Sequence, residues 1–419
     1  MQVEIVTIGN EVLSGRTLDT NFAFLARALE EASVQVGWHT TVADTAERIA
    51  EGLQHALGRA DAVVTTGGLG PTPDDVTRRA VAAVLDRPLQ LDEGVLEAIR
   101  ERVRRMGRSL PASVEAQALI PRGAQVWPNR NGTAPGLLIE HDGRPVILLP
   151  GVPSEMEALA REFVIPYLRA RNGRAVESFT LRTYGVFETM LQEHLGTLPQ
   201  RWPGATLAYL PSWHGVDLRV TVVGDDAAAV RAMATRAREE LLGAVGSVVY
   251  AEGARGLEEV VGDLLIAHHR RIATAESCTG GLLAKRLTDT PGSSRYVERG
   301  FVVYSNESKM DLLGVEPETL RAHGAVSAPV AQQMAAGAAR RAGVEVGVSV
   351  TGIAGPEGGT EAKPVGTVFI AVADPAGQAV RQLRLTGSRA AIRERSAQSA
   401  LDLVRRHVAG LPVEATLKK

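Results

Sequence analysis

Cysteine is nearly missing from this chain, with one residue in 419. An intramolecular disulfide is therefore impossible, and a reducing compartment suits the sequence better than secretion. An excess of either charge is missing too. Lys and Arg number 46 against 48 Asp and Glu, for a formal net charge of -2. No global positive field exists to hold a polyanion, so nucleic acid is not an expected partner without a local basic patch. No uninterrupted apolar run reaches the ~18 residues of a membrane-spanning helix. The opening MQVEIVTIGNEVL reads as a strand and turn, without the basic and apolar regions of a signal peptide. These absences predict a cytoplasmic protein with no membrane partner.

What is present is the balance of a soluble enzyme rich in tight turns: 45% hydrophobic and 22% charged residues, with 43 Gly and 21 Pro. A chain of 419 residues exceeds the roughly 250 to 300 at which one core stops growing, which predicts two or three domains. Over residues 1–170, β-rich runs alternate with helical patterns. VEIVTIG precedes a helix over 21–32, DAVVTTGG precedes a helix over 74–85, and PVILLPG follows later. This rhythm predicts a parallel sheet with helices on both faces, and ligands bind beyond the carboxyl ends of such strands. Three glycine-rich turns, IGNE, TTGGLGPTPDD and LPGVPSEM, are predicted to converge on that edge. Residues 171–253 read as a small α+β module, with strands at SFTLRTYG, TLAYLPS and DLRVTVVG and a helix over 226–242. From 254 to 419 the α/β alternation returns, and the middle module is expected to be a spacer or dimerisation element.

In the last domain, RIATAESCTGG is a β-branched run that breaks into small polar residues before a helix expected near Gly280. Ser277 would lie at the helix N-terminus, where unpaired amides and the dipole stabilise an anion, as an acyl-transfer nucleophile requires. Ser277 or Thr279 would equally serve as a plain helix cap. GFVVYSNESK places Tyr304 and Lys309 past a strand, with both side chains expected to leave the strand end together. A desolvated lysine can act as the base a serine needs, although a lysine here also suits a solvated surface. In SVTGIAGPEGG, Thr351 and Gly352 can donate to a carbonyl oxygen or phosphate, or form an ordinary turn. Cys278 beside the serine reads as a buried packing residue.

Taken in order, AESCTGG, VVYSNESK, HGAVS, SVTGIAGP and KPVGTV resemble the C-terminal domain of the CinA family, a nicotinamide mononucleotide deamidase domain. The resemblance implies Ser277 as nucleophile, Lys309 as general base and Tyr304 as an assisting hydroxyl. It implies that Thr351 and Gly352 shape the carboxamide and oxyanion pocket, that Thr279 and Gly280 bind substrate, and that Arg389 or Arg393 meets the nucleotide phosphate. No cofactor is expected at this site.

In the first domain, the turn TTGGLGPTPDD suits a phosphate, and Asp74 and Asp75 at a helix start suit a divalent cation held between phosphates. Together with IGNEVLSGRTLDTN, NRNGTAPG and LLPGVPSEM, it resembles the N-terminal domain of the same family. That domain has a molybdopterin-binding fold and acts as a metal-dependent ADP-ribose pyrophosphatase. Glu11, Asp19, Asn21, Gly67, Gly68, Gly70, Asp74, Asn131, Thr133 and Gly151 occupy the motif positions, with Asp74 assigned to metal or general-base work. Asn10 departs from the family pattern, where a threonine is usual.

The fold class implied is α/β throughout: a molybdopterin-binding-like three-layer α/β/α domain, a KH-like middle domain and an α/β amidohydrolase domain. The implied protein is a homodimeric enzyme of pyridine-nucleotide recycling whose partners are nicotinamide mononucleotide and ADP-ribose. Two rivals remain. One is a nucleic-acid-binding role tied to competence or DNA damage, for which Gly243 to Gly246 is the one candidate KH loop. The other is molybdopterin binding or adenylylation by the first domain. A zinc site at His268 and His269 is not expected, because no carboxylate or cysteine lies at ligand spacing.

Overall fold

The computed structural model describes residues 1–72, 74–105 and 116–417. It divides into two compact units, Met1–Glu177 with Val223–Arg231, and Ser178–Val222 with the chain from Ala232 onward.

The first unit holds β1 (Gln2–Ile8), β2 (Gln35–Val42), β3 (Ala62–Thr66), β4 (Leu89–Leu91), β5 (Leu119–Pro121), β6 (Gln125–Trp127), β7 (Gly136–His141) and β8 (Arg144–Leu149). Six of these form one sheet in the order β2-β1-β3-β8-β7-β6. β3, AVVTT, is buried along its whole length, as a strand covered by helices on both faces must be. On one face Leu25 and Leu29, from the helix Thr20–Glu31, pack with Met156 and Leu159. On the other, Ile49 and Leu53 pack with Val81 and Leu85. The result is a three-layer α/β/α module.

The expectation of a parallel sheet needs correction. β1 pairs in parallel with β2 and β3, and β3 with β8, but β7 pairs antiparallel with both β8 and β6. The cause is local. Asp142 and Gly143 join β7 to β8 with φ of 49° and 76°, a two-residue turn with both centres left-handed, which only an antiparallel hairpin uses. The helix expected from Asp74 starts instead at Thr77. Asp75 turns its carboxylate back to the N–H and hydroxyl of Thr72 (2.8 and 2.6 Å), which holds the preceding segment as a loop.

The second unit joins two sheets. β9 (Ala175–Thr183), β10 (Ala205–Ser212), β11 (Gly215–Gly224) and β12 (Val249–Glu252) lie in the order β10-β11-β9-β12. The helix Ala227–Val245 follows β11. Gly243 lies inside that helix and Gly246 just past it, so this glycine pair does not frame a loop between two helices. β13 (Ile272–Glu276), β14 (Val297–Val302), β15 (Val346–Gly352), β16 (Thr367–Asp374) and β17 (Gly377–Arg384) form the last sheet, ordered β14-β13-β15-β16-β17. β13 is parallel to β14 and β15, whereas β16 and β17 are antiparallel, so this sheet too is mixed. One face is covered by Val261, Leu265, Ile392 and Val404 from the helices Leu257–Ala267 and Arg389–Val408. The other is covered by Leu313, Val330 and Met334. No described helix is long and apolar enough to cross a membrane.

Candidate active sites

β13 is buried at every position and delivers Ser277 at its carboxyl end, where the Ser277 N–H donates to Val350 O (2.9 Å) on β15. On the neighbouring edge β14 ends at Val302, and the chain turns into the helix Asn306–Leu313. Ser305 caps this helix by accepting from Ser308 N–H (3.1 Å), which is what a serine at this position does. One turn later Lys309 points inward and is 1% exposed. Its Nζ lies 3.3 Å from Ser277 Oγ and 2.9, 3.2 and 3.3 Å from the carbonyl oxygens of Val303, Tyr304 and Ser305. Burial pushes the Lys309 amine below its ordinary value, against weaker opposing effects of Cys278 and Glu307. Cys278, also buried, has its thiol pushed up to about 11 by desolvation.

Tyr304 and Lys309 do not leave the strand end together. The capped turn carries the lysine inward and leaves Tyr304 62% exposed. The tyrosine hydroxyl accepts from Arg389 Nη2 (3.1 Å) rather than bonding Ser277. Arg389 Nη1 donates to Gly355 O (2.7 Å), so this arginine spans from Tyr304 to the glycine-rich loop after β15. Arg393 instead donates to Thr279 O, through Nη2 at 2.6 Å and Nε at 3.3 Å. Thr351 gives its hydroxyl proton to Ala325 O (2.8 Å), which removes it as a side-chain donor to a ligand. Gly352 admits no side chain, since a Cβ there would lie 2.6 Å from Val368. Thr279 Oγ1 is buried and has no partner among the described residues.

The amides expected to flank Ser277 at a helix N-terminus are otherwise engaged. The helix begins at Leu282, and its first amides are taken by Glu276, a residue sequence reasoning passed over. The Glu276 carboxylate accepts from the N–H groups of Gly281 (3.0 Å), Leu283 (3.0 Å) and Ala284 (2.8 Å). An acidic residue ending a wholly buried strand was the available signal, because a buried carboxylate must find donors.

In the first unit the carboxyl ends of β1, β3 and β8 meet. A side chain on Gly67 would lie 2.2 Å from Ile8 O, and one on Gly151 would lie 3.3 Å from Gly67 Cα. Asn21 ties the turns together by donating to Thr66 Oγ1 (2.9 Å) and Gly151 O (2.8 Å). Its own Oδ1 is buried without a partner among the described residues. Asp19 caps the helix Thr20–Glu31 and lies 3.2 Å from His39 Nε2. Gly68 and Gly70 sit against Thr77 and Asp75. Glu11 is exposed after β1. Asn131 reaches Ser154 O (3.1 Å), and Thr133 lines a cavity of about 730 Å³ with Arg102 and Asn129. Sequence reasoning missed Asn129, whose Oδ1 accepts from Asn131 and Gly132 N–H. It also missed Arg78, whose buried guanidinium donates to the carbonyls of Leu69, Gly70 and Ala116.

Asp74 is exposed, and its carboxylate takes no hydrogen bond among the described residues. No group of three or more His, Cys, Asp or Glu residues suited to a metal occurs among them. A single free carboxylate is too few protein donors to enclose a cation.

Fold and site define a class: chains that join a molybdopterin-binding-like α/β module, a KH-like module and an α/β module bearing a serine beside a buried lysine. Three family models match in that order. These are a "Probable molybdopterin binding domain" over 4–170, the damage-inducible protein CinA KH domain over 178–251, and the CinA C-terminal domain over 254–408. The chain is 46% identical to a CinA-like protein of Gemmatimonas aurantiaca, covering 97% of this chain and 96% of the relative. It is 42% identical to one of Desulfovibrio desulfuricans, covering 99% and 98%. A crystal structure of the competence/damage inducible protein CihA from Agrobacterium tumefaciens matches at 43% identity over 36% of this chain and 94% of that one, with a TM-score of 0.34. The protein belongs to the CinA family.

Proposed function

We propose that the C-terminal module hydrolyses the carboxamide of nicotinamide mononucleotide. The observation that carries this reading is the Lys309 amine, 1% exposed and 3.3 Å from Ser277 Oγ. Burial lowers its pKa, which favours the neutral amine a general base requires. Lys309 takes the hydroxyl proton as Ser277 Oγ bonds to the carboxamide carbon. It returns that proton to the departing nitrogen as the C–N bond breaks and ammonia leaves. Water then gives a proton to Lys309 and attacks the ester, nicotinate mononucleotide departs, and Ser277 recovers its proton. The N–H groups of Cys278 and Thr279 donate to no backbone carbonyl among the described residues, and we assign them as the turn's oxyanion donors. Arg389, beside Tyr304, is assigned to the nucleotide phosphate.

For the first module the reading is hydrolysis of ADP-ribose to AMP and ribose 5-phosphate, supported by the close approach of the turns after β1, β3 and β8, the last two of which Asn21 joins. Asp74 would hold a divalent ion together with the diphosphate oxygens, while the Asp75 carboxylate stays engaged with Thr72. When bound, that ion would neutralise phosphate charge. The glycine turns bring backbone close to the diphosphate, and the unpartnered Oδ1 of Asn21 accepts from a ribose hydroxyl. Incubating the full chain with nicotinamide mononucleotide, and separately with ADP-ribose and Mg²⁺, tests both readings. Ammonia and AMP are the expected products. A preparation that releases neither removes the proposal.

A further inference from the structure

We infer that Glu276 and Arg393 form a positioning pair that sets the turn carrying Ser277, and that neither touches substrate. The inference rests on the serine–lysine reading of the site. The stretch from Ser277 to Gly281 must carry the chain off β13 and into the helix Leu282–Asp289. It has little internal bonding. Gly280 N–H donates to Ser277 O at 3.1 Å and Leu282 N–H to Thr279 O at 3.4 Å, while Gly280 and Gly281 have φ of 60° and 92°. A turn built on two glycines has many alternative shapes.

Two side chains remove that freedom from opposite sides. Glu276 is 0% exposed, and its carboxylate grips Gly281, Leu283 and Ala284 through their N–H groups. The end of the strand is thereby fastened to the start of the helix, with the turn as a closed loop between them. A carboxylate suits this place because it accepts only and meets the positive end of the helix dipole. Arg393 holds the loop's crest by its two bonds to Thr279 O, a charge-assisted contact stronger than a neutral one. With the crest pinned and both ends fastened, Ser277 Oγ has one place to be, 3.3 Å from Lys309. The helix-start amides of Gly281, Leu283 and Ala284 are occupied by Glu276.

This assignment separates Arg393 from Arg389. If Arg393 were a phosphate ligand, its loss would weaken binding. If it positions the turn, its loss slows chemistry at unchanged binding. A glutamine at 276 keeps the volume but offers one oxygen and an NH2 group to three donors, so the fastening fails. A displacement of about 1 Å at a nucleophile costs about 10²-fold in rate.

The test is steady-state ammonia release from nicotinamide mononucleotide by the full chain, with thermal melts and the rate at which a fluorophosphonate labels Ser277. Expected for Glu276→Gln is a kcat lower by about 10²-fold, KM within about two-fold, and labelling slowed in parallel. Arg393→Met is expected to lower kcat by about 10-fold, again with KM held. A folded Glu276→Gln protein with wild-type kcat and only a lower Tm would overturn the inference, as would Arg393→Met raising KM at unchanged kcat. Should Glu276→Gln not fold, Arg393→Met decides alone. A wild-type protein that releases no ammonia refutes the deamidase reading instead, and the labelling rates still report on the turn.

Discussion

The Lys309 amine and the Ser277 hydroxyl, 32 positions apart in sequence, lie 3.3 Å from each other. Around them Val303, Tyr304 and Ser305 present carbonyl oxygens to the amine. The cap at Ser305 fixes the helix that carries Lys309, so the pair is built by local chain geometry.

The pH dependence of the proposed deamidase activity follows from that amine. Its pKa is lowered by burial, and the neutral form is the base. Activity should therefore rise with pH through the lowered value and level off below the 10.5 of an ordinary lysine. Lys309→Met should lose about 10³-fold or more in kcat, and its residual rate should lack that rise. The same lowered pKa makes the fold gain stability as pH rises between the folded and unfolded values, because the unfolded chain binds the extra proton there.

Cys278 adjoins Ser277, but its thiol is raised to about 11 by burial, so almost no thiolate exists near neutral pH. Iodoacetamide at pH 8 should leave ammonia release intact, and Cys278→Ala should retain activity within about three-fold, the reading of a packing residue. Rapid inactivation by the reagent would point to a thiol mechanism.

Arg389 bridges Tyr304 and Gly355. Arg389→Met should raise KM for nicotinamide mononucleotide by about 10-fold, in keeping with a charge-assisted phosphate contact of about 1.5 to 3 kcal/mol, and should barely change kcat.

In the first unit, Gly67 has φ of 111°, and a Cβ there would fall 2.2 Å from Ile8 O. Gly67→Ala should push the β1 and β3 turns apart and abolish AMP release from ADP-ribose while ammonia release persists. A chelator should act the same way, since only the first site is assigned an ion.

Much of this was legible in the sequence because strands buried on both faces announce themselves. IATAE, AVVTT and PVILL read as core strands, and the turns that end them carry Ser277, Gly67 and Gly151. The antiparallel edge was missed although its signal, Asp142-Gly143 between apolar runs, was present. The helix placed at Asp74 failed because Asp75 competes for local donors, as aspartate in turns does. Tyr304 and Lys309 could not be separated by spacing alone. Which of them faces inward depends on the cap at Ser305, and an exposed lysine and a buried one look alike in sequence. Glu276 was legible in principle, since a carboxylate ending a buried strand demands donors.

The account stands on two chemically separate sites, with Ser277 as the nucleophile of one. Its most direct test measures ammonia from nicotinamide mononucleotide and AMP from ADP-ribose for wild type, Ser277→Ala and Asp74→Ala under one set of conditions. Ser277→Ala should abolish ammonia release and keep AMP release at the wild-type rate, and Asp74→Ala should do the reverse. Ammonia release that survives in Ser277→Ala, or one substitution that removes both activities in a folded protein, would contradict it.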